Sequence, residues 1–246
     1  MKEKVVLKGE VISVHRQGCE VNVKGKIHFC LVRCQPNPVV NDIVTLEKRE
    51  DRFFITQIAL RKNFVARYDF YKEKHQIFAA NIDTAFIVTS ANKEFSVNRI
   101  GRFLALLDGG KMRKVIVLTK VDLAHGGCSS PDIKEYTDKL ADIGAGVEHI
   151  LINAKDRLDV FKLLDFIKPK GTALLMGSSG VGKSTIINTL CGLSLRTNDV
   201  QDQRLGNKGK HTTSARTMYY LPCGRRIIDT PGVKIVGLEG DKALRR

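Results

Sequence analysis

The segment GSSGVGKST, residues 177–185, constrains the fold of this chain more than any other feature of its sequence. A glycine, four further residues and then Gly182, Lys183 and Ser184 form the spacing that lets backbone N–H groups surround phosphate oxygens. The apolar residues 172–176 predict a short buried strand before this loop. The residues from Ser184 onward predict a helix whose N-terminus faces the phosphates. An α/β nucleotide-binding fold is therefore expected.

Each position of this phosphate-binding loop is a candidate nucleotide ligand. Lys183 is predicted to reach the β- and γ-phosphates. The hydroxyl of Ser184 is the expected Mg²⁺ ligand, because a hydroxyl directly after the lysine lies beside the bridging oxygens of a bound nucleotide. The predicted nucleotide-binding residues of the loop are Gly177, Ser178, Ser179, Gly180, Val181, Gly182, Lys183, Ser184 and Thr185.

A second motif lies upstream of the loop rather than downstream of it. Residues 115–123, VIVLTKVDL, predict an apolar strand that runs into Thr119, Lys120, Val121 and Asp122. The Asp122 carboxylate would accept hydrogen bonds from guanine N1 and N2, a donor pair that adenine lacks. A buried carboxylate left unpaired by the wrong base can discriminate by roughly 10⁴-fold. The alternative is that Asp122 caps a helix or lies in a turn, but the nearby phosphate-binding loop favours base recognition.

Two later segments predict a γ-phosphate-dependent switch: GKHTTSAR at 209–216 and RRIIDTPGV at 225–233. Asp229 is expected in the magnesium shell, and the Gly232 N–H is expected to contact the γ-phosphate. Thr212 or Thr213 would close on Mg²⁺, and the sequence does not distinguish the two. The alternatives are an ordinary polar turn for HTT and a proline-glycine turn for DTPG.

The residue after DTPG bears on catalysis. Ras-like GTPases commonly place there a glutamine that orients the attacking water, and this chain has Val233. An aliphatic side chain cannot position water, so we expect slow intrinsic hydrolysis. A partner or another residue would then have to increase the hydrolysis rate, by about 10³- to 10⁵-fold if it acts as an arginine finger does. His211 is the catalytic candidate, with a solvated or RNA-contacting histidine as the alternative.

The order of these motifs carries a family resemblance. The chain resembles the RsgA or YjeQ family of GTPases that depend on the small ribosomal subunit. This resemblance implies a circularly permuted GTPase domain after an OB-fold, GTP hydrolysis stimulated by the 30S subunit, and a role in its late maturation. The segments that carry it are TKVD, INAKD, GSSGVGKST, HTT, DTPG, ANIDTAFIVTS at 80–90 and VNRIGRFLALLDGG at 97–110.

Three departures from the family pattern limit the resemblance. Thr119 stands where an asparagine is usual, which predicts lower nucleotide affinity with base choice retained through Asp122. Asn153, Ala154 and Lys155 replace Ser-Ala-Lys, and the Ala154 N–H is still expected to meet the guanine oxygen. The family's C-terminal cysteine and histidine cluster is missing from this sequence, so no zinc is expected in this chain.

The cysteines show no paired CxxC spacing. Cys30 and Cys34 with His28 form the nearest cluster to a metal site, and we interpret the two cysteines as small buried hydrophobic residues. No signal-peptide h-region and no apolar run of roughly 20 residues is present, which predicts a cytoplasmic protein without a membrane partner. The six cysteines are Cys19, Cys30, Cys34, Cys128, Cys191 and Cys223.

Two domains are predicted. Five short strand-like runs fill the first sixty or so residues, which suits a small β-barrel such as an OB-fold at 1–62. Strands then alternate with helices, as in a mostly parallel sheet, which predicts the circularly permuted GTPase domain at 63–246.

The formal net charge is +15 and the isoelectric point is near 9.7, which favours an anionic macromolecular partner, with nucleic acid first. Basic residues recur in the barrel and in the 204–216 segment. Phe29, Phe53 and Phe54 could stack on bases, although strand alternation places at least one in the core.

Three functions remain open from the sequence. The first is a Mg²⁺-dependent, monomeric GTPase that binds the 30S subunit and its 16S rRNA and is released by hydrolysis. The second is a nucleotide-gated rRNA-binding module with little turnover. The third is a permuted GTPase acting on the large subunit, which the N-terminal barrel disfavours.

Overall fold

The computed structural model describes residues 6–69, 73–124, 132–143, 146–192 and 216–230. In chain order its elements are β1 (Val6–Val14), β2 (Cys19–Val23), β3 (Lys26–Val32), β4 (Ile43–Arg49), β5 (Arg52–Ile58), β6 (Phe64–Asp69), β7 (Lys74–Ala80), β8 (Thr84–Ser90), α1 (Val97–Leu106), β9 (Arg113–Thr119), α2 (Ile133–Ile143), β10 (Glu148–Leu151), α3 (Arg157–Phe161), β11 (Thr172–Gly177), α4 (Lys183–Cys191), β12 (Thr217–Tyr220) and β13 (Arg226–Asp229). Short 3₁₀ turns cover Val121–Leu123 and Lys162–Phe166.

The described residues form two compact units. The first contains the described residues up to Ile82 together with 216–219, and the second contains 83–192 and 220–230 apart from the gaps given above. The first unit thus holds the β6–β7 hairpin as well as the first five strands. The domain boundary predicted between residues 62 and 63 stays a prediction.

The first five strands close into a barrel. Its order is β1, β2, β3, β5, β4 and back to β1, with antiparallel pairs except for the parallel β3–β5 pair. This is the strand order of an OB-fold, which confirms the predicted β-barrel. Alternation along β2 directs every second side chain inward. The core consists of Val11, Cys19, Val21, Val23, Cys30, Val44, Leu46 and Ile55.

Of the two cysteines predicted to be buried, Cys30 lies in this barrel core together with Cys19, and Cys34 is partly buried against it. Burial raises the pKa of Cys19 to about 11 and that of Cys30 to about 12, so both thiols stay protonated at neutral pH. The His28 ring packs on Phe53 with 4.4 Å between ring centroids. Within the described ranges, no group of three or more His, Cys, Asp or Glu side chains is placed to hold a metal ion.

The three barrel phenylalanines divide between surface and core. Phe29 is 50% exposed, Phe53 is half-buried and Phe54 is buried. The Arg33 guanidinium lies over the Phe54 ring, 4.0 Å from its centroid. Strand alternation therefore leaves Phe29 as the phenylalanine best placed to meet a partner.

The second unit is built on a parallel sheet in the order β10, β9, β8, β11, β13. Every residue of β8 and of β11 is buried. A parallel strand that is buried along its whole length has both of its faces covered, which explains why these segments read as continuous apolar runs. The strand predicted at 172–176 and the helix predicted from Ser184 are confirmed as β11 and α4.

Two helix pairs accompany this sheet. Helix α1 packs on α2 and on β8, and α4 packs on α3, β11 and β13. The Ser96 side chain caps α1 by accepting a hydrogen bond from the Arg99 N–H, and Asp156 caps α3 through the Leu158 N–H. None of the helices in the described part of the chain has the length and apolar character needed to cross a membrane.

Candidate nucleotide-binding site

The predicted motifs meet at one edge of the parallel sheet. The register pairs Ser90 with Thr119 across β8 and β9, and Gly177 with Val88 across β11 and β8. Strand β13 ends at Asp229, which pairs with Leu175 of β11. Because the carboxyl ends of parallel strands share an edge, the segments that follow β9, β11 and β13 are neighbours although they are distant in the sequence.

The phosphate-binding loop needs glycine where its backbone is crowded or left-handed. A Cβ added to Gly177 would lie 2.3 Å from the carbonyl oxygen of Val88. Gly182 has φ 102° and immediately precedes α4. Ser179 and Gly180 are exposed, and a Cβ added to Gly180 would meet open space. The loop therefore presents its backbone to solvent at the N-terminus of a nine-residue helix, where the helix dipole favours an anion.

Lys183 is folded into this loop. Its side-chain ammonium donates hydrogen bonds to the carbonyl oxygens of Gly177 at 2.8 Å and Ser178 at 2.6 Å, and the residue is only 7% exposed. Burial lowers the pKa of Lys183 from its ordinary value, and the nearby Asp229 carboxylate opposes that shift. The cation is thus desolvated and held inside the loop, as a phosphate ligand requires.

Asp229 is a partly buried carboxylate at the same edge. The next residue, Thr230, anchors the end of β13 by donating its hydroxyl proton to the Leu175 carbonyl at 2.6 Å. Burial raises the pKa of Asp229, while Lys183 and a hydrogen bond from the Thr230 backbone lower it. The Oδ1 atom of Asp229 is buried and has no hydrogen-bond partner among the described residues. An unsatisfied buried carboxylate oxygen fits a hard cation such as Mg²⁺.

Thr119 joins the upstream motif to the phosphate-binding loop. It is fully buried, and its hydroxyl lies 2.6 Å from the Val181 carbonyl oxygen and 3.0 Å from the Thr89 carbonyl oxygen. Lys120, the next residue, is left-handed with φ 58°, and the 3₁₀ turn that follows contains Asp122. The chain therefore turns sharply after β9, and Asp122 in this turn is partly exposed.

The Asn153–Lys155 segment forms a second tight turn. The Asn153 side chain accepts a hydrogen bond from the Lys155 N–H at 3.0 Å, and the Asp159 carboxylate accepts one from the Asn153 N–H at 3.0 Å. A Cβ placed on Gly182 would lie 3.6 Å from the Ala154 Cβ and 3.7 Å from the Thr119 hydroxyl. Both upstream segments thus pack against the phosphate-binding loop. The Lys155 ammonium lies 3.9 Å from the Asp122 carboxylate.

Part of the predicted site lies outside the described residues: His211, Thr212, Thr213 and Gly232, together with Val233. The sequence interpretation also missed two contributors inside the described ranges. Thr230 and Arg99 both contact the site, the first by anchoring Asp229 and the second through a hydrogen bond to Ser178. Nothing in the sequence DTPG indicated that the Thr230 side chain would bond to Leu175. Arg99 lies 79 residues before Ser178, and no sequence motif links the two.

Known proteins match both the sequence and the fold. The family model of the RsgA GTPase matches residues 58–239. Small ribosomal subunit biogenesis GTPase RsgA of Methanosarcina acetivorans is 36% identical over 248 residues, covering 96% of this chain and 64% of that protein. Small ribosomal subunit biogenesis GTPase RsgA 2 of Vibrio parahaemolyticus is 34% identical over 235 residues, covering 93% of this chain and 62% of that protein. The chain therefore spans less than two thirds of the length of these curated relatives.

Solved structures give the same fold. YjeQ from Thermotoga maritima superposes with a TM-score of 0.66 at 23% identity, covering 93% of this chain and 75% of that chain. YloQ, described as a circularly permuted GTPase, gives a TM-score of 0.62 at 20% identity, covering 97% of this chain and 75% of that chain. The predicted architecture, a permuted GTPase domain preceded by a small barrel, is confirmed.

Proposed function

Because this chain belongs to the RsgA GTPase family, we propose that it hydrolyses GTP to GDP and phosphate and is stimulated by the small ribosomal subunit in late 30S maturation. One observation carries the proposal. A buried lysine and a partly buried aspartate with a buried, unsatisfied oxygen lie at a glycine loop against which the two predicted base-binding segments pack. This arrangement suits a nucleotide bound with Mg²⁺, because the phosphates supply anionic ligands for the Lys183 ammonium and the cation supplies a partner for the Asp229 oxygen.

Guanine is the proposed base. Asp122 accepts from guanine N1 and N2, and the Ala154 backbone N–H donates to the guanine oxygen. Ala154 is 6% exposed and packs at Gly182, which supports a base lying next to the phosphate-binding loop. Residues Thr119 to Asp122 and Asn153 to Lys155 form the base-binding part of the proposed site.

The phosphates are proposed to lie along residues 177–185 at the start of α4. Lys183 neutralises the β- and γ-phosphates, and the loop N–H groups donate to their oxygens. Ser184 and Asp229 would hold Mg²⁺, which supplies positive charge to the phosphate oxygens when it is bound. Gly232, the switch threonines Thr212 and Thr213 and the catalytic candidate His211 are proposed from the sequence pattern alone.

The proposed partner is the 30S subunit, contacted through its 16S rRNA by a monomer of this protein in the cytoplasm. The net charge of +15 supports an RNA partner. The barrel supports it further, because Phe29 is half-exposed and Lys48 and Arg49 lie near the rings of Phe53 and Phe54.

Steady-state GTP hydrolysis tests the proposal. We expect slow turnover with Mg²⁺ alone, strong stimulation by 30S subunits, little by 50S subunits, and no comparable activity with ATP. The Lys183→Ala variant should lose GTP binding because the desolvated cation is gone. GTP-dependent 30S binding without stimulated turnover would instead support the nucleotide-gated rRNA-binding module. Stimulation by 50S alone would contradict the assignment to the small subunit.

A further inference from the structure

Arg99 places a cation beside the phosphate-binding loop from a different part of the chain. It is the third residue of α1, and its N–H donates to the capping Ser96 side chain, which fixes the first turn of the helix. Helix α1 follows β8, the parallel neighbour of β11. The start of α1 and the loop after β11 therefore lie at the same edge of the sheet.

The contact of Arg99 with the loop is short. Its Nη1 atom donates a hydrogen bond to the Ser178 hydroxyl at 2.8 Å. The same nitrogen lies 3.4 Å from the carboxylate of Glu94 and 3.4 Å from the Glu94 carbonyl oxygen. Since charge-assisted hydrogen bonds measure about 2.7–2.9 Å, Ser178 rather than Glu94 is the principal partner of Arg99.

Ser178 is consequently held by two cations. Arg99 donates to its hydroxyl, and Lys183 donates to its carbonyl at 2.6 Å. Lys183 belongs to the loop itself, whereas Arg99 fixes the loop from outside. The Arg99 side chain is 43% exposed, so its charge also remains open to an anion that enters the loop. The Glu94 carboxylate is a weak, solvent-exposed partner for that charge.

We propose that Arg99 is a positioning residue for the phosphate-binding loop, which acts through Ser178 and adds positive charge next to the nucleotide phosphates. The inference rests on the proposed guanine-nucleotide function and extends it to a residue outside the known nucleotide motifs. Through this contact, α1 fixes the conformation of the loop at Ser178. An external arginine can thereby raise the affinity for both GDP and GTP without belonging to the loop.

Equilibrium binding of a fluorescent GDP and a non-hydrolysable GTP analogue to the full chain tests this inference. We expect Arg99→Ala to weaken both nucleotides about tenfold, as for a partly exposed charge-assisted hydrogen bond. Arg99→Lys, which keeps the charge, should stay within about threefold of the unsubstituted chain. Arg99→Gln, which keeps hydrogen-bond donors without charge, should bind more weakly than Arg99→Lys.

A double-mutant cycle tests whether Arg99 affects nucleotide binding through Ser178. Ser178→Ala should weaken binding in a similar way, and the double variant should be no weaker than the weaker single variant, because both changes remove one contact. The matched control is Arg102→Ala, which removes an exposed arginine from the same helix and should leave both affinities unchanged. Thermal unfolding of every variant identifies any that does not fold.

Several results would overturn the inference. These are wild-type affinity in Arg99→Ala, equal affinities for Arg99→Lys and Arg99→Gln, or losses that multiply in the double variant. In each of these cases guanine-nucleotide binding by the unsubstituted chain leaves the proposed function standing. An unsubstituted chain that binds neither nucleotide would overturn the proposed function and this inference together.

Discussion

Thr119 has one hydroxyl proton and two carbonyl oxygens within reach. The Val181 oxygen is closer, at 2.6 Å against 3.0 Å for the Thr89 oxygen, so Val181 receives the stronger hydrogen bond. The threonine at this position, in place of the family's usual asparagine, predicted lower nucleotide affinity. The structure shows that the hydroxyl keeps the tie to the phosphate-binding loop and shares its single proton with β8. We therefore expect nucleotide affinity to depend on this buried hydroxyl.

Thr119→Val should weaken GDP binding by about tenfold and lower the free energy of unfolding by about 1–3 kcal/mol, because a buried carbonyl loses its donor while the side-chain shape is kept. Thr119→Ser is the matched control, since it retains the hydroxyl and loses only a methyl group. Calorimetric titration with GDP and urea unfolding provide the two measurements. Equal GDP affinities for the two variants would show that the hydroxyl does not hold the loop.

Among the elements, the turn between β11 and α4 has the strictest backbone requirement. A side chain at Gly177 would collide with the backbone of β8, because the added Cβ would lie 2.3 Å from the Val88 oxygen. A backbone atom in a central parallel strand cannot move away without breaking the ladder on either side. Gly177 therefore serves the packing of the loop on the sheet as well as the conformation of the loop.

Gly177→Ala should destabilise the protein by about 2–4 kcal/mol through this overlap and abolish nucleotide binding. Gly101→Ala is a control for which the opposite change in stability is expected. Gly101 lies inside α1, where an added Cβ meets nothing within 4 Å, so alanine should stabilise the protein by about 0.5–1 kcal/mol. Urea unfolding of both variants gives the comparison. A Gly177→Ala protein as stable as the parent would contradict the predicted collision.

Local sequence patterns predicted the helices and strands that are determined by nearby residues. The short strand-like runs of the first sixty or so residues predicted the barrel, and the apolar run 172–176 with the residues from Ser184 predicted β11 and α4. The pairing of β12 with β1 at Ser13 and Thr217 left no local pattern, because it depends on two segments far apart in the chain. For the same reason the bond from Arg99 to Ser178 could not be predicted, whereas the meeting of Lys183 and Asp229 at one edge of the sheet could, since each lies in a recognisable motif.

For the molecule as a whole, the excess of positive charge is the dominant electrostatic feature. Lysine and arginine number 41 against 26 acidic residues, giving the net charge of +15. Such an excess attracts a polyanion and repels other copies of the same chain. The sequence alone was sufficient to predict this property, because net charge does not depend on the fold.

Affinity for 30S subunits should therefore fall steeply with salt. Because binding releases several counterions from the RNA phosphates, we expect the affinity for 30S subunits to fall at least about tenfold between 50 and 200 mM KCl. GDP affinity, measured in parallel as the control, should change much less because the nucleotide site is small and partly desolvated. Co-sedimentation with 30S subunits over this salt series is the measurement. A salt-independent 30S affinity would show that the charge does not serve RNA binding.

Because β9 precedes β11 and β13 in the chain, it is also synthesised before them. Asp122 leaves the translating ribosome well before Asp229, and the roughly 100 residues between them take roughly 5–20 s to add at about 5–20 residues per second. During that interval the nascent chain carries the proposed base-binding strand but lacks β13 and the carboxylate at its end. A newly made molecule thus gains its complete phosphate-binding edge only after β13 has been synthesised and has paired with β11.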